Sequence, residues 1–494
     1  MIERIGQGHL TGLYDVAAVR QIEQASFAIE GDSFPMMERA AYAIYRHICH
    51  RQPSTRPIVV LAGGGNNGGD GVLVAVLLHE AGFDVTLFDA AKRPRTGDAL
   101  LAWEKLRAVN VPVQPAEAFL AYDRSAVVVD ALLGIGALGH PSADFAALID
   151  HCNHLRQSGG WTLAVDVPSG LNANTGSGST IIEADMVVTF IVDKIGLRIN
   201  KGPACCHEIV IESLQAADLD LPQCAHFLAR SFFRTFQPCT RYGDSHKGTY
   251  GHVAVLGGDH GFGGAAIMSS EAAARAGAGT VALYSRGVTI GAALCRNPSI
   301  MGFDEAQGEP GSVLRGNSSI IVLGPGLGRL EWGHRLFDAA AQLHCRTVLD
   351  ADGLRLLASK HWEGGELIIT PHPGEAAFLL GISIDEVLND LISAAEQLAQ
   401  KYRAVVILKG ITSVIAKQGE VPVVVGAPCP GLARGGSGDV LTGIVAACWA
   451  YYQDAFTAAV IGAGWHNDAA IKCAQEKGDI GMFPQELLMY LQKS

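Results

Sequence analysis

Residues 58–71 read IVVLAGGGNNGGDG. Ile58–Ala62 is a short apolar strand, Gly63–Asp70 a glycine- and asparagine-rich loop, and Gly71–Ala81 reads as a helix. Working back toward the start, Leu13–His50 has helical apolar spacing (Val16, Val19, Ile22, then Met37, Ala40, Ala41, Ile44 and Ile48), and the breaker-rich stretch Arg51–Pro57 follows it. Working forward, strands are expected at Asp84–Phe88, Ala126–Asp130, Leu163–Val167 and Val187–Ile191, with helical segments between them. Strands that alternate with helices imply a parallel sheet with right-handed crossovers. The rhythm weakens over Leu214–Pro238, which reads as a linker with a boundary near residue 225. A second series then begins: strands at His252–Leu256, Val281–Tyr284, Ile320–Leu323, Thr347–Asp350, Leu367–Thr370 and Val405–Leu408, a helix at Gly264–Ala276, and helical sequence from Gly438 through Ala474. The expectation is an α/β protein of two domains, 1–225 and 226–494.

Composition agrees with that class. The 494 residues exceed the length of about 100–200 usual for one domain, and with 49% hydrophobic against 17% charged residues the chain can bury large cores. A net charge of −12 argues against a nucleic-acid binder, which needs clustered Lys and Arg. It does not exclude small anions, which backbone N–H groups can hold. The 11 cysteines form no CxxC pair and read as reduced thiols. The opening MIERIGQGHLTGLYDV has no apolar signal core, and no stretch of about 18 apolar residues occurs. The expectation is therefore a cytoplasmic protein without membrane association.

Chemistry concentrates where strands end. Glycines after Ala62 allow the backbone to approach a ligand, and the following helix start offers N–H groups to phosphate. The loop is not GxGxxG. Asp130 closes AVVVD and Asp166 closes LAVDV, ahead of Pro168-Ser169-Gly170. In doubly wound sheets ligands bind at this edge, so Asn67, Asp70, Asp130, Asp166 and Ser169 are expected to meet. Such an oxygen-rich group suits a hard cation or acid/base work. Taken singly, Asp70 and Asp130 also read as helix caps.

AGGGNNGGDG (62–71), VVVDALLGIG (127–136), AVDVPSGLNANTG (164–176) and VTFIVDKIGL (188–197), with LYDVAAVRQIE (13–23) and MMERA (36–40), resemble the NAD(P)H-hydrate epimerase domain over roughly residues 11–215. The resemblance implies a Rossmann-like, doubly wound fold. It implies that Asn66, Asn67, Gly68, Gly69 and Asp70, with Gly134, Ile135, Gly136, Ala137, Leu138, Gly139 and His140, bind the hydrated dinucleotide. It implies a potassium ion on Asn67, Asp130 and Ser169, and Asp166 at the epimerised carbon. Leu133-Gly134-Ile135-Gly136 stands where the commoner pattern has Phe-Gly-Thr-Gly, removing one hydroxyl.

The second half carries five ordered motifs: SHKGTYG (245–251), GPGLG (324–328), TPHPGE (370–375), Leu408-Lys409-Gly410 with Thr412 and Ser413, and ARGGSGD (433–439). In the last, glycines bare backbone N–H groups at the start of a long apolar helix, an anion hole for phosphoryl transfer. Asp439 in the first turn is placed to take a proton from a hydroxyl. Lys409 suits phosphate as a point charge. His372 between two prolines reads equally as a structural turn, and Arg434 as a phosphate contact or an exposed charge.

Together these motifs resemble the ADP/ATP-dependent NAD(P)H-hydrate dehydratase domain, of ribokinase-like fold, over roughly residues 240–490. The resemblance implies that Lys409, Gly410, Ile411, Thr412, Ser413 and Gly438 bind the nucleotide with Mg²⁺. It implies that Ala265, Gly326, Gly328, His372 and Asp439 bind the hydrate. Residues 426–436, Gly-Ala-Pro-Cys-Pro-Gly-Leu-Ala-Arg-Gly-Gly, depart from the frequent Gly-Asn-Pro-Gly-Met-Ala-Thr-Gly-Gly, while Gly435–Asp439 keep the pattern. The expected activity is repair of hydrated NADH and NADPH, with Asp166 and Asp439 catalytic, by a homo-oligomer such as family members form. Two readings compete: a small-molecule kinase of the ribokinase superfamily joined to a non-catalytic domain, and an interaction scaffold in RNA metabolism.

Overall fold

The computed structural model describes residues 9–51, 55–137, 139–235, 241–314 and 319–491. Contacts cluster into two compact units, Gly12–Ala225 and a second that runs from His226 onward and takes in Leu10 and Thr11.

The first unit holds a seven-stranded sheet: β1 (Ile58–Ala62), β2 (Val85–Asp89), β3 (Val113–Pro115), β4 (Val127–Ala131), β5 (Trp161–Val165), β6 (Met186–Phe190) and β7 (Ile209–Glu212). All neighbours are parallel, in the order β3-β2-β1-β4-β5-β6-β7. This is the doubly wound arrangement, and its order reverses between β1 and β4, where a crevice opens at the carboxyl ends. Both faces of β1 are covered. Ile58, Val60 and Ala62 pack in one core with Ile22, Ile44 and Val72. Val59 and Leu61 pack in another with Phe119, Ile149 and Cys152. A strand covered on both faces reads as an unbroken apolar run, which is why IVVLA does not alternate.

Three local differences from the sequence expectation bear on the site. The helix after β1 begins at Asn66, not Gly71, so Asn66–Asp70 belong to the helix (α3, Asn66–Glu80) and not to a loop. Strand β5 ends at Val165, which leaves Asp166 as the first residue beyond it, at φ 65°. Leu13–His50 is two helices, α1 (Val16–Glu30) and α2 (Phe34–Arg51). Asp15 caps the first through the Ala18 N–H, and Gly31 ends it at φ 76° by donating to the Phe27 carbonyl. Ahead of them Leu13 and Tyr14 are extended and pair with Asp193 and Lys194.

The second unit contains β8 (Ala225–Leu228), β9 (His252–Leu256), β10 (Thr280–Ser285), β11 (Met301–Asp304), β12 (Ile320–Leu323), β13 (Arg346–Leu349), β14 (Leu367–Ile369), β15 (Val405–Leu408), β16 (Ser413–Ala416) and β17 (Val423–Val425). Their order is β11-β10-β9-β12-β13-β14-β15-β16-β17-β8. Pairing is parallel from β11 to β15, and antiparallel for β15 with β16 and β16 with β17. The stretch read as a linker therefore contributes β8, paired in parallel with β17. Four residues, with only Ala225 and Leu228 buried, are too short to show a strand pattern.

After α4 (Gly97–Ala108) and α5 (Ala143–Gln157) of the first unit come α6 (Gly263–Arg275), α7 (Ser437–Tyr452) and α8 (Ala455–Lys477), which lie behind the second sheet. Helix α7 is apolar nearly all round because other elements enclose it. Its Gly443 lets it meet α6 closely: a Cβ there would lie 2.2 Å from the Ser269 carbonyl oxygen. Among the described residues no helix is long and apolar enough to cross a membrane. The described cysteines are free thiols.

Ile444 is fully buried in this core. Ile444→Ala is expected to cost about 2–5 kcal/mol, read as a lowered denaturant midpoint in equilibrium unfolding.

Candidate active sites

In the first unit the carboxyl ends of β1 and β4 border a cavity of about 680 Å³. Its lining includes Gly64, Gly65, Asn66, Asn67, Gly68 and Asp70 from the first connection, Leu132–Ala137 from the second, and Asp166, Phe190 and Glu23. Of the residues expected to hold the hydrate, Asn66, Asn67, Gly68, Asp70, Gly134, Ile135, Gly136 and Ala137 thus share one wall. Gly69 points elsewhere, against Met37 and Ala99. Gly139 and His140 lie off the lining; the Gly139 carbonyl accepts from the Ser179 N–H at 3.1 Å and His140 is exposed. Leu138 lies outside the described residues. Gly68 is glycine for a steric reason, since a Cβ would sit 2.0 Å from the Gly63 oxygen. The loop start is pinned by Arg95, which donates to the Gly63 carbonyl at 3.2 Å, pairs with Asp89 at 2.6 Å and lies over Trp103.

Asp130 is fully buried and is not a cap. Its oxygens accept from Ser169 Oγ (2.6 Å), the Ser169 N–H (2.8 Å) and the Leu132 N–H (3.2 Å). Burial pushes its carboxyl up to about 6 although these donors oppose the shift. Asn67 Nδ2 donates to the Leu133 carbonyl at 3.1 Å, and the Leu133 N–H donates to Ser169 Oγ at 2.9 Å. Asn67, Asp130 and Ser169 therefore meet around Leu133. A buried carboxylate bonded to the Ser169 hydroxyl, with the Leu133 carbonyl reached by both Ser169 and Asn67 and no cationic side chain among its partners, offers oxygens that fit a hard monovalent cation.

Asp166 Oδ1 accepts from Lys194 Nζ (2.7 Å), the Phe190 N–H (3.1 Å) and Thr189 Oγ1 (3.2 Å). Lys194 is 1% exposed and also donates to Thr189 Oγ1 and the Phe190 carbonyl. Sequence reasoning missed Lys194 as a site residue, although it stands in the quoted VTFIVDKIGL. Glu23 was missed because it falls on an ordinary amphipathic helix. Burial, and then Asp166, raise its carboxyl above the usual range. Asp70 is the fifth residue of α3, too far along to cap it, and the cap position is Gly65. Burial drives Asp70 well above the usual carboxylate range, and Asp166, Glu23 and Asp98 push the same way.

In the second unit, Gly436 (φ 102°) opens α7 and Asp439 lies in its first turn. Burial, then Asp350, raises Asp439 to about 7, with Lys409 opposing. Lys409, just past β15, reaches Asp350 at 2.8 Å and Glu375 at 3.9 Å. Burial works against its charge, but these two carboxylates outweigh burial and raise it. A Cβ on Gly438 would approach Asp350 Oδ2 to 3.2 Å and Lys409 Nζ to 3.4 Å, so the bare glycine leaves room beside the ion pair. Gly410, Ile411 and Thr412 turn the chain from β15 into β16, which Ser413 opens.

His372 is a helix cap: its Nδ1 accepts from the Gly374 and Glu375 N–H groups at 3.0 and 3.3 Å, ahead of Pro373–Leu380. Gly326 lies in a turn whose carbonyl accepts from the Asp259 N–H at 2.7 Å, and Gly328 abuts the Asp259 side chain. Ala265 sits one helical turn before Ser269, whose hydroxyl donates to the Asp439 carbonyl at 2.7 Å. Arg434 donates to the Met482 and Ile480 carbonyls and covers Phe483. Asp350 was missed. The sequence signal was present, since VLDADG ends a strand in Asp as AVVVD does.

A family model described as NAD(P)H-hydrate dehydratase matches residues 253–493, and one described as YjeF-related protein N-terminus matches residues 33–196. A bifunctional NAD(P)H-hydrate repair enzyme from Coxiella burnetii is 36% identical over 98% of this chain and 99% of its own length. The chain belongs to the bifunctional NAD(P)H-hydrate repair enzyme family. Another member, from Escherichia coli, is 35% identical over 93% of this chain and 89% of its own. A Bacillus subtilis ADP/ATP-dependent NAD(P)H-hydrate dehydratase, co-crystallised with ATP and Mg²⁺, is 26% identical and superposes with a TM-score of 0.49, covering 56% of this chain and 98% of that one. Within this family frame the segment at Gly426–Gly436 is well anchored: Ala427 exchanges two hydrogen bonds with the Asn467 side chain at 3.0 and 2.9 Å.

Asp439 supplies a stability test. Its folded-state value near 7 lies above the usual 3.8, so the folded state holds the extra proton and stability falls as pH rises through about 7. Asp439→Asn is expected to raise the melting temperature at pH 8 and to lose that advantage below pH 4. An equal difference at both pH values would contradict the assignment.

Proposed function

We propose that the two units perform two halves of one repair cycle on hydrated NADH and NADPH. The hydrate carries a hydroxyl on the reduced nicotinamide ring, and hydroxide is a poor leaving group. In the second unit Asp439 removes the hydroxyl proton and the oxygen attacks the terminal phosphoryl group of ATP or ADP. The Gly435–Gly438 N–H groups face the charge that develops. Phosphate then departs and the dihydronicotinamide is restored. Lys409, Gly410, Ile411, Thr412, Ser413 and Gly438 hold the nucleotide, and Ala265, Gly326, Gly328 and His372 border the hydrate. Mg²⁺ brought by the nucleotide phosphates supplies counter-charge.

In the first unit Asp166 moves protons at C6 of the hydrate and interconverts its two epimers, so that both feed the stereospecific second site. Asn67, Asp130 and Ser169 hold potassium, which balances the buried Asp130 charge and steadies residues 132–137.

The single observation behind this reading is Asp439. A buried carboxyl raised to about 7, in the first turn of a glycine-started helix and beside Lys409, is a general base for neutral pH. The deciding experiment mixes hydrated NADH epimers with the protein, with and without ATP or ADP, and follows dihydronicotinamide absorbance. Complete recovery from both epimers is expected. Asp439→Asn should lower nucleotide-dependent recovery by about 100-fold or more, and Asp166→Asn should leave one epimer unconsumed beyond its spontaneous conversion. A stable phosphorylated product in place of free phosphate would make the protein a kinase.

Potassium has its own readout. Asp130 sits near 6, above its usual value, so its ionisation costs stability as pH rises through 6. KCl is expected to raise the melting temperature more at pH 8 than at pH 5, compared with equal tetramethylammonium chloride, and Asp130→Asn should erase that difference.

A further inference from the structure

Two carboxyl groups line the cavity of the first unit in opposite circumstances. Asp166 is half of an ion pair, with three donors on Oδ1. Asp70 is 9% exposed, and its carboxyl accepts no hydrogen bond from any described residue. The buried cation Lys194 is committed to Asp166, Thr189 and the Phe190 carbonyl. The charged groups acting on Asp70 are Glu23 on α1, Asp98 on the helix Gly97–Ala108, and Asp166. All three are acidic, so burial and neighbours together push Asp70 toward the protonated form. A side chain buried this deeply, unpaired, and lining an open cavity is placed to give its proton to a ligand there. Two carboxyls on one cavity, one held by a lysine and two further donors and the other buried without a donor, have the unlike environments that suit an acid and a base.

We propose that Asp70 is the second catalytic residue of this site, the proton donor that works with the base Asp166. The inference rests on the reading that the first unit epimerises hydrated dinucleotides. The hydroxyl-bearing ring carbon is bonded to the ring nitrogen. Asp166 takes the hydroxyl proton and that oxygen forms a carbonyl. The carbon–nitrogen bond breaks, its electron pair goes to nitrogen, and nitrogen takes the proton of Asp70. Rotation presents the other carbonyl face. On reclosure the nitrogen returns its proton to Asp70 and attacks the carbonyl, whose oxygen recovers a proton from Asp166. Nothing is consumed, and both carboxyls end as they began.

The test uses the full-length protein with potassium and no nucleotide, starting from one purified NADH hydrate epimer and resolving both by chromatography. Asp70→Asn keeps size and polarity but cannot give up a proton. It is expected to lower kcat by about 100-fold or more, with KM within about threefold, as suits a group needed for proton transfer. The wild-type rate should fall on an alkaline limb, as the donor ionises, and Asp70→Glu should retain activity with that limb displaced. A kcat for Asp70→Asn near wild type, or a change in KM alone, overturns the proposal. If Asp70→Asn fails to unfold cooperatively, Asp70→Glu decides: an alkaline limb that does not move overturns it. If the wild-type protein interconverts no epimers, the epimerase reading itself falls, an outcome distinct from any behaviour of the variants.

Discussion

Removing carboxyl groups from water at the carboxyl ends of parallel strands is the constraint on which both sites depend. Water stabilises a carboxylate strongly, and a parallel sheet wrapped by helices has none to offer there. Each acid at these strand ends must therefore find a cation, gather N–H and O–H donors, or keep its proton. The protein uses all three solutions. Asp166 and Asp350 pair with buried or half-buried lysines. Asp130 gathers donors from Ser169 and Leu132. Asp70 and Asp439 are pushed toward the protonated form. The same burial that threatens folding thus sorts acids into chemical roles.

The fold was largely legible because buried parallel strands leave unbroken apolar runs. Ile58–Ala62, His252–Leu256, Ile320–Leu323 and Val405–Leu408 stand where their apolar runs stand in the sequence. The misread stretches lacked such a pattern. Ala225–Leu228 is a short strand amid polar residues, and the antiparallel pair Ser413–Ala416 and Val423–Val425 hid behind a turn. The start of α3 was read too late, at Gly71, because Asn66–Asp70 are poor helix formers by propensity. Packing decided otherwise, since Gly68 must fold over Gly63 to bring the helix onto the sheet.

The site was legible in its motif residues and opaque in their partners. Asn67, Asp130 and Ser169 could be picked from strand ends, and they do meet around Leu133. Lys194 and Glu23 could not, because their significance comes from distant contacts: Lys194 lies 28 residues beyond Asp166 and joins it only through the packing of neighbouring strands. Asp350 and Lys409 likewise meet across 59 residues. Local pattern marks where a ligand can approach, and only tertiary packing says which charge answers which.

Arg434 carries a consequence beyond its own contacts. Both of its terminal nitrogens grip backbone carbonyls at Ile480 and Met482, so the loop that opens α7 is tethered to a segment more than forty residues further on. Residues 480–482 act as a mechanical stay for the glycine-rich turn ahead of α7. A nick or a crowding neighbour at those residues would be felt at Gly435–Asp439, although none of them need touch that turn.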